Sequence, residues 1–236
     1  MRLTPFVWAL LAAAPVSCGA GITSPLLFSS VWTEDSGASI ERVRRRMGTE
    51  PLPAGADVAI GYVQRGALLL GLPLDGSKPW SVSCPLDTRP AIAGAVVVAS
   101  CEGELRAFDA RSGKKLWSRA TGGLPLRGAG DDGDVTVVTF PGVQAGSSLL
   151  LAVRRDGSVL RQIETDKEIG VPAVARGLAF VPWADQYVSA VDLVEGSEPG
   201  RVVLREKTSH AWVTGGRLYF GELGVFRVDE AIGRGK

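Results

Sequence analysis

Three kinds of side chain in this sequence could do chemistry: three cysteines (Cys18, Cys84, Cys101), one histidine (His210) and a knot of aspartates, Asp131, Asp132 and Asp134, in "DDGD". A single histidine removes most His-based acid–base catalysis and most His-rich metal sites at once. His210 stands beside Trp212 with no nucleophile at hand in the sequence, which reads as a structural histidine. The aspartates have the look of a calcium loop. An EF-type loop also needs a ligand Glu at a fixed distance downstream, and none is there. Asp and Gly are ordinary turn formers, so "DDGD" reads as a tight turn. The phosphate-cradling G-x-x-x-x-G-K-[ST] and the nucleophile elbow G-x-S-x-G are both missing. The sequence thus offers no catalytic residue, no metal site and no cofactor site.

The cysteines point instead to a compartment. The N-terminus "MRLTPFVWALLAAAPVSCGAG" has one basic residue, an apolar run from Pro5 to Val16, and then small residues. That layout is a secretory signal, predicted over 1–18, and the run is too short for a membrane span. Cys18 after "APVS" resembles the lipidated cysteine of bacterial lipoproteins, although Pro15 stands where that family prefers an aliphatic residue. Ordinary cleavage after Ala20 is the rival. With Cys18 lipidated or removed, Cys84 and Cys101 remain, either as a disulfide in an oxidising compartment or as two buried thiols.

The elements that carry these residues are short and many. The chain has 236 residues, 45% of them hydrophobic, with 30 glycines and 14 prolines, a composition suited to strands joined by turns. A net charge of +1 gives no field to steer it toward nucleic acid. One pattern recurs: Gly113 is preceded by Asp109 and followed by Trp117, each four residues away. Gly76 has Trp80 at the same spacing, Gly157 has Arg161, and Gly196 and Gly233 have Asp192 and Asp229. These glycines recur at about 40-residue intervals. Roughly twenty residues before each turn comes a small turn with an apolar run, as in "IAGAVVVAS" (92–100) and "ARGLAFVPW" (175–183). Each unit therefore reads strand, turn, strand, loop, strand, Asp–Gly turn, strand. That is an all-β fold of four-stranded antiparallel propeller blades, with about five units over 54–236. Runs such as "AVVVA" lack alternation and fit strands covered on both faces.

The series Gly103, Leu105, Ala107, Asp109, Gly113, Trp117 resembles the repeat of pyrroloquinoline-quinone (PQQ)-like β-propellers. That superfamily includes quinoprotein dehydrogenases and a non-enzymatic propeller lipoprotein of the outer-membrane barrel-assembly machinery. The resemblance implies that Trp80 and Trp117 open the outermost strands and lay their rings on the adjacent blade, each burying about 150–250 Å² while its N–H finds a carbonyl. It also implies what a quinone site requires: adjacent bonded cysteines, a Trp floor and a calcium site. No Cys-Cys pair exists here. The expected function is an exported, lipid-anchored scaffold that binds other envelope proteins at the periplasmic side of a bacterial membrane, the outer membrane by resemblance, or that is secreted. It is not an enzyme and binds no nucleic acid. A PQQ-dependent dehydrogenase and a ligand-sensing module are the alternatives.

Two further expectations concern the ends. Residues 19–53 form a linker with a short strand and a helix. In "ERVRRRM" (41–47), Ile40, Val43 and Met47 share one helical face and the arginines lie mostly opposite, either as a solvated face or as a site for anionic headgroups. The fifth unit stops at Lys236, one residue short of its Trp position. Either the chain is an open arc of a propeller of roughly seven or eight blades, or "PLLFSSVW" (25–32) pairs with the strand around Phe226 and closes a small ring.

Overall fold

Residues 27–29, 31, 32, 34, 36–49, 60–205, 207–214 and 217–222 are described by this computed structural model. The signal segment, Cys18, Phe226, Asp229 and Gly233 lie outside the described residues. One helix, α1 (Ser36–Met47), precedes seventeen strands among them. The first sheet holds β1 (Ile60–Arg65), β2 (Leu68–Pro73) and β3 (Trp80–Ser83). The second holds β4 (Ala91–Ala93), β5 (Val96–Cys101), β6 (Glu104–Asp109) and β7 (Lys115–Ala120). The third holds β8 (Gly128–Asp131), β9 (Val135–Pro141), β10 (Ser148–Arg154) and β11 (Val159–Thr165). The fourth holds β12 (Ala173–Ala175), β13 (Leu178–Trp183), β14 (Tyr187–Asp192) and β15 (Gly200–Val203). The fifth pairs β16 (His210–Thr214) with β17 (Arg217–Gly221). Every ladder within these sheets is antiparallel and joins strands consecutive in sequence. The fold is the all-β propeller architecture that the repeat spacing implies.

Stacking of sheet on sheet explains the continuous apolar runs. All six residues of β5 are buried. Val97 belongs with Ala99 and Cys101 to a cluster shared with Ile60 and Leu69 of the first sheet. Val96 and Val98 point the other way, into a cluster with Val138, Phe140 and Leu151 of the third. Strand β9 repeats the division: Val138 and Phe140 face the second sheet, while Val135 and Val137 meet Ala179, Val181 and Trp183 of the fourth. In β13, Leu178 and Phe180 turn toward Ala211 of the fifth. A strand alternates its side chains between two faces, and here each face has its own neighbouring sheet. Each fully buried aliphatic side chain contributes about 1.5–3 kcal/mol in these interfaces.

The short inner strands meet at the axis. A Cβ on Gly130 of β8 would lie 2.5 Å from the carbonyl oxygen of Pro172, beside β12. Only glycine lets two inner strands approach so closely. Farther on, Val171 N–H donates to Ser209 O (2.8 Å) and Ala211 N–H to Val171 O (2.9 Å), tying the fourth unit's entry to β16. Cys84, just after β3, and Cys101, at the end of β5, form a buried disulfide with 5.1 Å between Cα atoms. It joins the exit of the first sheet to the second.

Of the segment expected to close the ring, residues 27–29, 31 and 32 are described, and Phe226, its expected partner, lies outside the described residues. Leu27 and Phe28 form a turn, and both are buried in the cluster between the third and fourth sheets. Trp32 lies over Arg201 of β15. The described part of 25–32 is thus no strand, and it packs on the fourth sheet.

Candidate binding surfaces and the N-terminal clamp

At the outer rim, three units place the side chain four residues after one marker glycine against the next marker glycine. The Trp80 ring lies against Gly113 of the next sheet, where a Cβ would meet it at 2.6 Å. Its Nε1 donates to Ala110 O at 2.8 Å. Trp117 lies against Gly157, the following marker glycine. Arg161, at the Trp position of the third unit, covers Gly196, and its Nε donates to Leu193 O at 3.2 Å. Ala110 and Leu193 each stand three residues before their marker glycine, so an indole and a guanidinium use the same acceptor position. Trp117 departs from the expected pattern. Its Nε1 is buried with no hydrogen-bond partner among the described residues. The neighbouring Gly157 carbonyl accepts from Arg119 Nε (2.9 Å) instead.

The marker turns explain the recurring aspartates. Gly113 N–H donates to Asp109 O, and Gly196 N–H to Asp192 O, both at 2.8 Å. The Asp109 carboxylate accepts from Ser112 N–H at 2.8 Å, and that of Asp192 from Val194 N–H at 2.8 Å. Burial pushes the Asp109 carboxyl up, but the bonds from Ser112 outweigh it and hold it below the usual range. "DDGD" is likewise a turn, between β8 and β9. Burial pushes the Asp131 carboxyl up, opposed by bonds from Thr136 (2.7 Å) and Arg155 (3.0 Å). Asp132 accepts from Val135 N–H (3.0 Å) and from Gly177 N–H (3.3 Å) on the next unit's turn. Asp131 and Asp132 thus face their own turn or a neighbouring one, while Asp134 is exposed and donates its N–H to Asp132 Oδ1 at 3.1 Å. Among the described residues no group of three or more His, Cys, Asp or Glu could hold a metal ion.

Around the axis, the inner strands line an open recess of about 400 Å³, with Ala93, Gly130, Asp131, Ala173, His210 and Trp212 among its walls. Against the expectation of no nucleophile near it, His210 has the hydroxyl of its chain neighbour Ser209 2.8 Å from Nδ1, and burial lowers the imidazole pKa. Asp131 is spoken for by Thr136 and Arg155. Its lining thus combines the His210 imidazole and the Trp212 indole with the Asp131 and Glu222 carboxylates and a majority of small and aliphatic side chains.

A loop the sequence reading did not single out is the better surface. Between β9 and β10, residues 142–147 form an extended turn fixed by Gly142 N–H to Ser147 O (2.8 Å), Ser147 N–H to Gln144 O (3.0 Å) and Ser147 Oγ to Gln144 O (2.6 Å). At its tip Val143 is 95% exposed. Beside it a recess of about 370 Å³ is lined by Leu124, Leu149, Glu164 and Asp166. An apolar side chain on a loop that holds its own shape loses little entropy on binding. The available signal was the longer interval between Gly113 and Gly157, which this loop accounts for.

The fourth sheet carries a clamp. Arg201 and Glu198 are buried and form a two-toothed ion pair, Nε to Oε1 at 2.7 Å and Nη2 to Oε2 at 2.9 Å. The guanidinium lies 4.7 Å from the ring centres of both Trp32 and Trp183. Arg201 also donates to Ser29 O, and Phe28 N–H donates to Glu198 Oε2 at 3.3 Å. Removing either charge would leave the other buried and unpaired, which costs about 3–5 kcal/mol. Helix α1 docks beside this pair. Val43 and Met47 pack on the cluster between the fourth and fifth sheets. The arginines of "ERVRRRM" divide: Arg42 Nε donates to Pro199 O (2.7 Å) and Arg46 pairs with buried Asp192, while Arg44 and Arg45 are exposed. The helix is therefore neither a wholly solvated face nor a single basic patch.

No family model matches the sequence. Among curated proteins it is similar to the outer membrane protein assembly factor BamB of Burkholderia pseudomallei (strain K96243), 28% identical over 158 residues, which cover 64% of this chain and 40% of that protein. The chain thus spans less than half the length of that relative. Among solved structures, BamB from Moraxella catarrhalis aligns with a TM-score of 0.47 at 21% identity, over 70% of this chain and 52% of that one. The computationally designed Ika8 protein aligns with a TM-score of 0.45 at 13% identity, over 69% of this chain and 55% of that one. The chain is, by sequence, similar to a BamB-type β-propeller.

Proposed function

We propose that this protein is an exported β-propeller, tethered to the outer membrane through Cys18, that serves as a docking platform in the assembly of outer-membrane proteins and performs no reaction of its own. The observation that carries this reading is the 28% identity to an outer membrane protein assembly factor. The fold supports it: stacked sheets make a stiff body, and loops that leave it at one end can hold a partner without rearranging. The contact surface is the 142–147 loop with its exposed Val143 and the adjoining recess, whose Glu164 and Asp166 favour a partner with basic and apolar side chains.

The test is recovery of the tagged protein from crosslinked outer membranes, as the unaltered chain and as Val143→Asp. The unaltered chain is expected to retain components of the barrel-assembly machinery, and the variant to lose them at least tenfold while keeping its thermal midpoint. Retention of no envelope protein by the unaltered chain overturns the platform reading. Equal retention by both overturns the placement at Val143.

A further inference from the structure

Strand β15 is the outermost strand of the fourth sheet, and its outer edge is covered by a helix. The cover is atomic in detail. Arg201 turns its N–H and C=O away from β14. Ser39 of α1 meets both: the Arg201 N–H donates to Ser39 Oγ at 2.9 Å, and Ser39 Oγ lies 3.3 Å from Arg201 O and donates to it. One hydroxyl thus makes the two bonds that a neighbouring strand would make. Gly200, at the position where the first two units carry Trp80 and Trp117, leaves the room. A Cβ there would lie 2.5 Å from Val43 Cγ2 and 2.7 Å from Ser39 O. The repeat has given up its rim side chain where the helix sits.

We propose that α1 is an intramolecular guard of this edge, and that the edge, once bared, pairs with the same edge of a second copy of the chain. An open strand edge is a template for pairing, and a covering helix is one of the known protections. The identity of the second partner follows from the strand itself. By antiparallel alternation Val203 turns its backbone to the same side as Arg201. Pairing two such edges about a two-fold axis at Val202 sets Arg201 against Val203 of the other copy, each exchanging both bonds. The charge on this edge does not oppose that approach, because the Arg201 guanidinium is turned inward and neutralised by Glu198. Val203 is already 52% exposed and offers apolar area.

The guard can leave without dissolving the sheets. A groove of about 450 Å³ remains between α1 and Phe180, Val188, Leu218 and Phe220. Beneath it the fourth and fifth sheets touch directly, Phe180 on Phe220 at 6.5 Å between ring centres. A lone twelve-residue helix is marginal in water, so α1 is helical because it is docked.

The experiment uses the full chain, as Val43→Asp to unseat the helix and as Ser39→Ala to remove only the hydroxyl. Amide exchange and sedimentation are the readouts. With Val43→Asp, residues 36–47 are expected to exchange at least a hundredfold faster, the sheets to keep their protection, and the mass to double at micromolar concentration. The Arg201 amide should regain protection in the doubled species. With Ser39→Ala, the Arg201 amide alone is expected to exchange about tenfold faster in a single-copy protein. Unseating α1 without doubling overturns the proposal. So does doubling that leaves the Arg201 amide unprotected, since another surface then pairs. Loss of protection in every sheet makes α1 part of the core rather than a guard, and an unchanged Arg201 amide in Ser39→Ala removes the cover itself.

Discussion

The outer rims of the first and fourth sheets solve the same packing problem in opposite ways. At the first, the chain spends a large ring: Trp80 fills the gap to the next sheet and rests on Gly113. At the fourth, the equivalent position is Gly200, and the filling comes from α1, more than 150 residues earlier in the chain. The first solution is local and repeats from unit to unit. The second depends on a long-range contact between the N-terminal segment and β15. What the difference teaches is that a repeat position left empty marks a place where a non-repeat element docks.

The largest effect should come from filling the space under a rim tryptophan. Gly113 has φ +70° and a Cβ there would meet the Trp80 ring at 2.6–2.8 Å, at the ring's base rather than a movable tip. Gly76 has a similar φ of +83° with nothing within 4 Å of its Cβ position. Gly76→Ala therefore isolates the backbone strain, about 1 kcal/mol. Gly113→Ala adds overpacking for a total of about 3 kcal/mol, roughly 6–12 °C in thermal midpoint. Equal midpoints for the two variants would mean that the tryptophan does not couple the sheets, and the comparison of rims would collapse.

Much of the fold could be read from the sequence, and the reasons are local. The strand–turn–strand order and the marker turns come from Gly and Asp at fixed offsets, whose conformational demands do not depend on distant contacts. The two-sided burial of "AVVVAS" follows from its unbroken apolar run, as sheets on both sides supply the missing alternation. The clamp was not legible. Arg201 looks like any strand arginine, and its ion pair with Glu198 under Trp32 and Trp183 needs the N-terminal segment to be in place. The partition of the helix arginines escaped for the same reason. Periodicity separates an apolar face from a charged one, but it cannot say that Arg42 and Arg46 reach back over the apolar face to Pro199 and Asp192. Nor does spacing reveal that the 142–147 loop fastens itself and lifts Val143 into solvent.

The fourth rim should be sensitive in a more confined way. Gly200→Ala places a methyl against Val43 and the Ser39 carbonyl, both on the helix. The expected loss is about 2 kcal/mol, carried by displacement of α1 rather than by the sheets. Gly61→Ala, where a Cβ meets nothing within 4 Å, is the control and should leave the midpoint unchanged. Amide exchange distinguishes the outcomes: faster exchange confined to residues 36–47 supports the substitution of helix for tryptophan. Faster exchange across β13 and β14 would show instead that Gly200 is needed for the sheet's own geometry.

The smallest effect separates two tryptophans that the repeat treats as equivalent. Trp80 donates from Nε1 to Ala110 O, whereas the Nε1 of Trp117 is buried without a partner among the described residues. Phenylalanine keeps most of either ring and deletes the N–H. At position 80 it removes a bond and strands a carbonyl, a loss of about 1–2 kcal/mol. At position 117 it removes a buried donor whose desolvation already cost about 1–3 kcal/mol, and this offsets the smaller ring's lost packing. Trp117→Phe is therefore expected to lie within about 0.5 kcal/mol of the unaltered chain in denaturant midpoints, and Trp80→Phe clearly below it. The reverse order would mean that ring volume, not the indole hydrogen bond, governs the rim. In that case Arg161, which keeps the bond to Leu193 O without the ring, should be a weak substitute, and Arg161→Trp would stabilise the contact to the fourth sheet.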